Sequence, residues 1–206
     1  EAARDVARKS MVLLKNDGNV LPLAANAERI AVIGPLGDSK TDMIGSWSAA
    51  GDRETRPVTV LEGMKARAGN GVTVQYAKGA SYEFGDEGKT DGFAEALALA
   101  KSSDVVVAVM GEKWDMTGEA ASRTSLDLPG NQQALLEQLV ATGKPVVLVM
   151  MSGRPNSITW ANDNVPAILH AWYPGTQGGH AVADVLFGDY NPSGKLPITF
   201  PINVGQ

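Results

Sequence analysis

Short apolar runs alternate along the chain with longer segments in which apolar residues recur every three or four positions. Such runs are typical of buried strands, and such spacing is typical of amphipathic helices. Three of the runs are almost continuously apolar, which favours parallel strands covered on both faces. One run alternates apolar with polar residues, which indicates an edge strand. The predicted strands are Ile30–Ile33, the alternating Val72–Tyr76, Val105–Met110, Val146–Met150 and Ala167–Trp172, with Ile198–Phe200 as a shorter sixth candidate.

Helical spacing fills the segments between these strands. The first predicted helix, Glu1–Leu14, places Ala3, Val6, Ala7, Met11 and Leu14 on one face. The others are Val60–Ala68, Phe93–Ala100, a helix opened by Pro129 and stopped by Gly143, and Thr176–Phe187. Alternation of strands and helices implies right-handed crossovers and a parallel sheet with helices on both faces. We therefore predict one α/β domain over residues 1–206, a three-layer α/β/α sandwich with a mostly parallel sheet of about five or six strands.

Composition narrows the possible functions. The chain has 206 residues, 44% of them apolar, which is ordinary for one globular domain. A net charge of −5 and scattered basic residues argue against nucleic acid as a partner, and the apolar runs are too short to cross a membrane. The absence of cysteine excludes disulfides and thiolate chemistry. Both ends interrupt a pattern, so we expect a fragment of a longer polypeptide.

Several catalytic and cofactor motifs are absent. The glycine loop after the first predicted strand, residues 34–37, fits neither a phosphate-binding loop nor a dinucleotide fingerprint. Gly45–Ala49 has its serines at the wrong offsets for a nucleophile elbow. The two histidines, His170 and His180, are ten residues apart in or near a predicted strand and helix, where a hydrogen-bonded or partly exposed histidine is the ordinary interpretation rather than a ligand or a base. We therefore predict no cofactor and no metal site.

Two long loops follow predicted strands, Gly34–Pro57 and Gly111–Leu128. Ligands of parallel α/β sheets bind outside the carboxyl ends of the strands, and loops of this length are usually functional or disordered. The first loop holds Trp47, and the second holds Glu112, Asp115, Glu119 and Arg123.

The acidic residues of the second loop match one kind of chemistry. Glycoside cleavage needs a protonated carboxyl group for the leaving oxygen and a second carboxylate on the other side of the sugar. The donor needs a raised pKa, which desolvation or a neighbouring carboxylate provides. By residue type alone, a solvated acidic loop remains an alternative, and so does core filling by Trp47.

A set of motifs spread over nearly the whole chain resembles the C-terminal α/β domain of glycoside hydrolase family 3. The pattern is especially similar to periplasmic β-glucosidases of Gram-negative bacteria. The segments that carry the resemblance are Ser10–Asn16 with Leu21–Leu23, Ile30–Pro35, Gly45–Ser48, Gly111–Glu112, Glu119–Arg123 with Leu126–Pro129, Ser152–Pro155, Trp172–Gly175 with Gly178–Gly179, and the highly specific Gly188–Pro197.

The resemblance implies a division of labour between two domains. A (β/α)8 barrel upstream carries the nucleophilic aspartate of a retaining β-glucosidase, and this domain lends the acid/base residue and part of the aglycone site. Glu119 matches the acid/base residue, with Glu112 and Asp115 as its rivals in sequence. Trp47 matches an aromatic residue beside the leaving group, and Arg123 matches a basic, substrate-binding or orienting position. Glu112 is interpreted as an anchor behind the site, and Asp115 as a second supporting carboxylate.

The same resemblance implies a substrate, a partner and a compartment. The substrate is a β-glucoside or oligosaccharide with a terminal β-D-glucosyl residue, and the intramolecular partner is the barrel. The compartment is the periplasm or the exterior of the cell. The fragment alone is predicted to be inactive, because the nucleophile is absent. The alternatives are another family-3 glycosidase such as a β-xylosidase or a β-N-acetylglucosaminidase, a non-catalytic nucleotide- or sugar-binding module, and a purely structural domain.

Overall fold

A six-stranded sheet forms the middle layer of the computed structural model, which describes residues 1–48 and 51–206. The strand order is β1-β6-β5-β4-β2-β3, with β1 antiparallel to β6 and all other neighbours parallel. The predicted mostly parallel sheet is confirmed, and the alternating strand lies at its edge. The strands are β1 (Val12–Asn16), β2 (Arg29–Ile33), β3 (Thr73–Ala77), β4 (Val105–Gly111), β5 (Val146–Met151) and β6 (Ala167–His170).

Helices cover both faces of the sheet and give the predicted three layers. Successive residues of β2 point to opposite faces, so Val32 joins one apolar core and Ile33 the other. The core around Val32 includes residues of α1 (Ala2–Ser10), α2 (Val60–Arg67) and α6 (Gly178–Leu186). The core around Ile33 includes residues of α3 (Phe93–Ser102), α4 (Gln132–Ala141) and α5 (Thr159–Asn164). Within the described residues, no helix has the length and apolar character needed to cross a bilayer.

Two predicted elements are wrong. The first helix ends at Ser10 and not at Leu14, because the backbone at Met11 is extended and the following residues form β1. β1 pairs with the otherwise open edge of β6, and this tertiary contact outweighs the helical spacing. Ile198–Phe200 is not a strand in the described chain. Proline on both sides removes backbone donors, and β1 already occupies that edge of β6.

A buried carboxylate fastens the first helix to the last. The side chain of Asp184, in α6, is 1% exposed. Arg4 of α1 binds it through two nitrogens, with 2.7 Å between Arg4 Nε and Asp184 Oδ2. Arg8, one turn further along α1, lies 3.5 Å from the same oxygen. Paired in this way, the charge of Asp184 is compensated within the helix layer.

Close packing of α2 on α6 depends on two glycines. A Cβ atom on Gly179 would lie 1.9 Å from the Thr59 carbonyl oxygen, and one on Gly63 would lie 2.0 Å from the Gly179 carbonyl oxygen. Thr59 also caps α2, because its hydroxyl accepts from the Glu62 amide while the Glu62 carboxylate accepts from the Thr59 amide. The contact therefore fixes the point at which the long loop after β2 enters α2.

We predict that Gly179→Ala lowers the free energy of unfolding by about 1–3 kcal/mol, because the added methyl group meets backbone that cannot move aside. Urea unfolding followed by circular dichroism measures the change. Gly69→Ala is the matched control, since a Cβ atom there meets no heavy atom within 4 Å. Equal stability of the two variants would contradict the packing described here.

Candidate active site

The two long loops meet where the strand order reverses. The chain passes from β2 outward to β3, and from β4 in the opposite direction to β5, while β2 and β4 are neighbours. Crossovers that leave in opposite directions open a crevice at the carboxyl ends of such a strand pair, and ligands of open α/β sheets bind there. The predicted loops Gly34–Pro57 and Gly111–Leu128 both start at this crevice. Of the first loop, Ala49 and Ala50 lie outside the described residues.

Glu112 is a buried ionic hub directly after β4. Its side chain has no exposed surface. One carboxylate oxygen, Oε1, pairs with Arg123, and the other, Oε2, accepts a hydrogen bond of 2.7 Å from Ser152 Oγ. Arg154 Nε lies 3.3 Å from Oε2 as an ion-pair contact without hydrogen-bond alignment. The two arginines compensate the buried charge, and Glu112 has no open path to a substrate.

Arg123 lies beneath the loop rather than at its surface. Its side chain is 7% exposed, and its Nη2 donates to the Asp127 carbonyl oxygen at 3.1 Å. The guanidinium group also lies 5.6 Å from the ring centre of Phe84. Arg123 therefore contacts the supporting Glu112 and the end of the loop, and its charge is already paired there.

Glu119 is exposed at the tip of the same loop. The backbone is left-handed on both sides of it, at Gly118 (φ +119°) and at Ala120 (φ +57°). The Ala121 amide donates to the Gly118 carbonyl oxygen at 3.3 Å, which closes a tight turn around Glu119. Within residues 1–48 and 51–206, the Glu119 carboxylate makes no hydrogen bond or ion pair with another side chain. The backbone turn therefore positions Glu119, and its exposed side chain is open to a ligand.

Trp47 lies next to this turn. A Cβ atom on Gly118 would lie 2.5 Å from Ser46 Oγ and 3.5 Å from Trp47 Nε1, so only glycine allows the two loops to approach this closely. The Trp47 side chain is 75% exposed. Core filling, the alternative considered for Trp47, is wrong. The structure brings Trp47 and the Glu119 turn together.

Asp115 lies in the loop between the end of β4 and the Glu119 turn. Its carboxylate is 45% exposed and lies 3.7 Å from Lys113 Nζ. The same ammonium group is 3.1 Å from a carboxylate oxygen of Glu83. Asp115 therefore belongs to a partly exposed charge cluster at the side of the loop, whereas Glu119 stands at the tip.

Contacts between the two loops involve Arg53 and Asp42, which the sequence did not single out. Arg53 stacks on the Trp114 ring, 3.9 Å from its centre, and donates to the Gly45 carbonyl oxygen at 3.0 Å. Buried Asp42 accepts from the Trp114 amide at 2.7 Å and from Ser39 Oγ at 2.6 Å. Burial raises the pKa of the Asp42 carboxyl, although these two hydrogen bonds oppose the change.

Tyr173, which follows β6, contacts the first half of the loop that carries Glu119. Its hydroxyl donates to the Lys113 carbonyl oxygen at 2.8 Å and accepts from Thr117 Oγ1 at 2.9 Å. Burial raises the pKa of the Tyr173 hydroxyl well above its ordinary value. The Tyr-Pro-Gly segment was visible in the sequence, but only the fold shows which loop it contacts.

His170 is buried in β6, between the rings of Trp172 and Phe200. Neither ring nitrogen has a hydrogen-bond partner among the described residues, and burial lowers the pKa of the imidazole to about 3. His170 is therefore a neutral residue packed between aromatic rings, and the prediction of a hydrogen-bonded or partly exposed histidine is wrong at this position. Among residues 1–48 and 51–206, no group of three His, Asp or Glu side chains could hold a metal ion.

The arrangement offers an exposed carboxyl group at the loop tip, Glu119, an exposed indole beside it, Trp47, and a buried ionic cluster at the base of the loop. A carboxyl group at a loop tip can donate or accept a proton. An indole face can stack on the apolar face of a sugar ring.

The chain matches the glycosyl hydrolase family 3 C-terminal domain over residues 11–206. It is 49% identical to a periplasmic β-glucosidase of Salmonella typhimurium and 43% identical to a β-xylosidase of Formosa agariphila. These matches cover 99% and 100% of this chain but 29% of each relative.

Solved structures give the same result. A β-glucosidase from Erythrobacter marinus superposes with a TM-score of 0.87 at 39% identity, and one from Listeria innocua in complex with isofagomine with 0.86 at 35%. Each covers 98% of this chain, which spans 30% and 27% of the two structures. The chain thus spans less than a third of the relatives that it matches.

We predict that Glu112→Gln lowers the free energy of unfolding by about 3 kcal/mol, because Arg123 and Arg154 lose the negative charge that compensates them. Urea unfolding followed by circular dichroism measures the change. Glu95→Gln, on an exposed position of α3, is the control and is expected to change stability by less than about 0.5 kcal/mol. If Glu112→Gln and Glu95→Gln were equally stable, the ion pairs of Glu112 would not contribute to the stability of the fold.

Proposed function

Because the chain belongs to glycosyl hydrolase family 3, as its C-terminal domain, we propose that it is one domain of a retaining β-glucosidase. In this proposal Glu119 is the acid/base residue and Trp47 forms a wall of the aglycone site. The nucleophile is an aspartate on a (β/α)8 barrel elsewhere in the full-length protein. The substrate carries a terminal, non-reducing β-D-glucosyl residue.

One observation carries the proposal. Glu119 is an exposed carboxylate on a tight turn, at the crevice where ligands bind in this fold, and its turn contacts exposed Trp47. The two rival carboxylates are placed less favourably, since Glu112 is buried between arginines and Asp115 lies beside Lys113. A barrel docked over this face would remove water from Glu119 and bring a second carboxylate near it, the conditions under which an acid remains protonated.

The first chemical step is glycosylation. The barrel aspartate attacks the anomeric carbon, and the bond from that carbon to the leaving oxygen breaks. Glu119 gives its proton to the leaving oxygen, so the aglycone departs as a neutral alcohol. The leaving group is adjacent to Trp47, whose indole stacks on an apolar sugar or aryl face.

The second step is deglycosylation. The Glu119 carboxylate, now without its proton, takes one from a water molecule whose oxygen attacks the anomeric carbon. The bond to the aspartate breaks, β-glucose leaves, and both carboxyl groups regain their starting states. Retention requires the two carboxyl groups to be about 5–5.5 Å apart, which sets the distance between the barrel aspartate and Glu119.

A β-xylosidase is the second candidate, favoured by the relative from Formosa agariphila. Glucose and xylose differ in one hydroxymethyl group, and the subsite that reads it lies on the barrel in our proposal. The acid/base step at Glu119 is the same for both sugars. The periplasmic relative supports the periplasm or the cell exterior as the compartment.

We predict that Glu119→Ala in the full-length enzyme lowers kcat/KM for phenyl β-glucoside by about 10²–10⁴-fold, the usual contribution of general acid catalysis. For 2,4-dinitrophenyl β-glucoside, whose leaving group needs no proton, kcat/KM changes far less. Added azide should replace water in the second step and yield β-glucosyl azide, detected by mass spectrometry and NMR. Asp115→Ala and Glu95→Ala serve as controls and keep the wild-type ratio between the two substrates.

Two results would contradict this assignment. Equal losses of Glu119→Ala on both substrates, without an azide product, would remove Glu119 as the acid/base residue. The selective loss and azide product in Asp115→Ala instead would transfer the role to Asp115. Parallel assays with aryl β-xylosides distinguish the two candidate functions.

We further predict that residues 1–206 alone do not hydrolyse aryl β-glucosides, because they lack the proposed nucleophile. The measurement is release of 4-nitrophenol by the purified chain, with circular dichroism as evidence that it is folded. Addition of the separately produced barrel is the matched comparison. Robust turnover by the folded chain alone would refute the division of labour.

A further inference from the structure

Arg154 donates hydrogen bonds to the backbone on both sides of Glu119. It lies two residues after Ser152, in the loop that follows β5. Its Nη2 donates to the carbonyl oxygen of Met116 at 2.6 Å and to that of Ala121 at 2.7 Å. These two carbonyls lie three residues before and two residues after Glu119. One nitrogen atom thus joins both ends of the segment that carries the carboxylate.

The guanidinium group of Arg154 is itself held in place. Its Nε is 3.3 Å from Glu112 Oε2, and its backbone amide donates to Ser152 Oγ at 3.1 Å. Ser152 Oγ donates in turn to Glu112 Oε2. A planar guanidinium group can contact a carboxylate on one side and carbonyl oxygens on another, which an ammonium group cannot do in the same geometry. The ionic hub and the turn are therefore connected through one side chain.

Arg123 differs from Arg154 in this respect. It pairs with the other oxygen of Glu112, but its further hydrogen bond is to the carbonyl oxygen of Asp127, at the end of the loop. The turn at Glu119 also includes left-handed backbone at Ala120, a conformation that costs free energy for a residue with a side chain. The two hydrogen bonds from Arg154 enclose this residue and oppose its relaxation.

We propose that Arg154 is a positioning residue for the acid/base reaction, holding the Glu119 carboxylate at the height and direction that proton transfer requires. The inference rests on the proposed function of Glu119. General acid catalysis depends on hydrogen-bond reach between the acid and the leaving oxygen, so a small relaxation of the turn removes it. Without Arg154, protonation of the leaving group suffers while nucleophilic attack from the barrel remains.

The test uses the full-length enzyme with Arg154→Met, which keeps the apolar stem, and Arg154→Lys, which keeps a positive charge near Glu112. We expect both to lower kcat/KM for phenyl β-glucoside by at least about 10-fold, a part of the general-acid contribution. We expect kcat/KM for 2,4-dinitrophenyl β-glucoside to change by less than about threefold. Arg29→Met is the control, at the opposite end of β2 and 60% exposed.

Other roles of Arg154 give different results. If Arg154 binds substrate directly, both substrates lose equally and KM rises with little change in kcat. If it only stabilises the fold, Arg154→Lys behaves as the wild type on both substrates. Either outcome overturns the proposal. If Arg154→Met does not fold, the comparison of kcat/KM on the two substrates is made with Arg154→Lys.

Glu119→Ala in the same substrate series separates this inference from the proposed function. If Glu119→Ala shows the selective loss and the Arg154 variants do not, only the role of Arg154 fails. If Glu119→Ala itself lacks the selective loss, the proposed function fails first.

Discussion

A single buried charge, the carboxylate of Glu112, determines the arrangement of the loops above the sheet. An isolated carboxylate without exposed surface is unfavourable by several kcal/mol, so its surroundings must supply compensating groups. Arg123, Arg154 and Ser152 do so from two different loops. Each partner then holds further backbone, and the chain after β4 becomes ordered without helix or strand. The contacts that satisfy the buried charge thus also hold the loop above it.

Topology decides which loops are neighbours. The parallel strands run in the order β3-β2-β4-β5-β6, so the chain leaves β2 and β4 in opposite directions and their following loops meet over a crevice. Gly118 then permits direct contact with the segment at Trp47, and Arg53 stacks on Trp114 to join the two loops again. The turn that carries Glu119 and the segment that carries Trp47 are therefore neighbours because of strand order, although more than seventy residues separate them.

The sequence predicts best what burial alone determines. β4 and β5 are continuously apolar because both faces are covered, and β3 alternates because it lies at an edge. β1 escapes prediction, since Met11 and Leu14 also fit a helical stripe and only pairing with distant β6 selects the strand. At the candidate site, residue types and motifs suggest roles for Glu119, Trp47 and Glu112, and these roles stay predictions. Arg154, Asp42 and Tyr173 act through contacts between loops, and no local pattern encodes those contacts.

The pairing of β1 with β6, and the attachment of α1 to α6 through Asp184, have a consequence for biosynthesis. On the ribosome, α1 and β1 emerge before the rest of this domain, but their partners β6 and α6 are made only after most of it has been translated. The nascent chain must therefore carry an unpaired apolar strand and an unattached helix through most of its synthesis. Contacts between such distant segments slow folding and leave a surface on which chaperones, or other nascent chains, can bind.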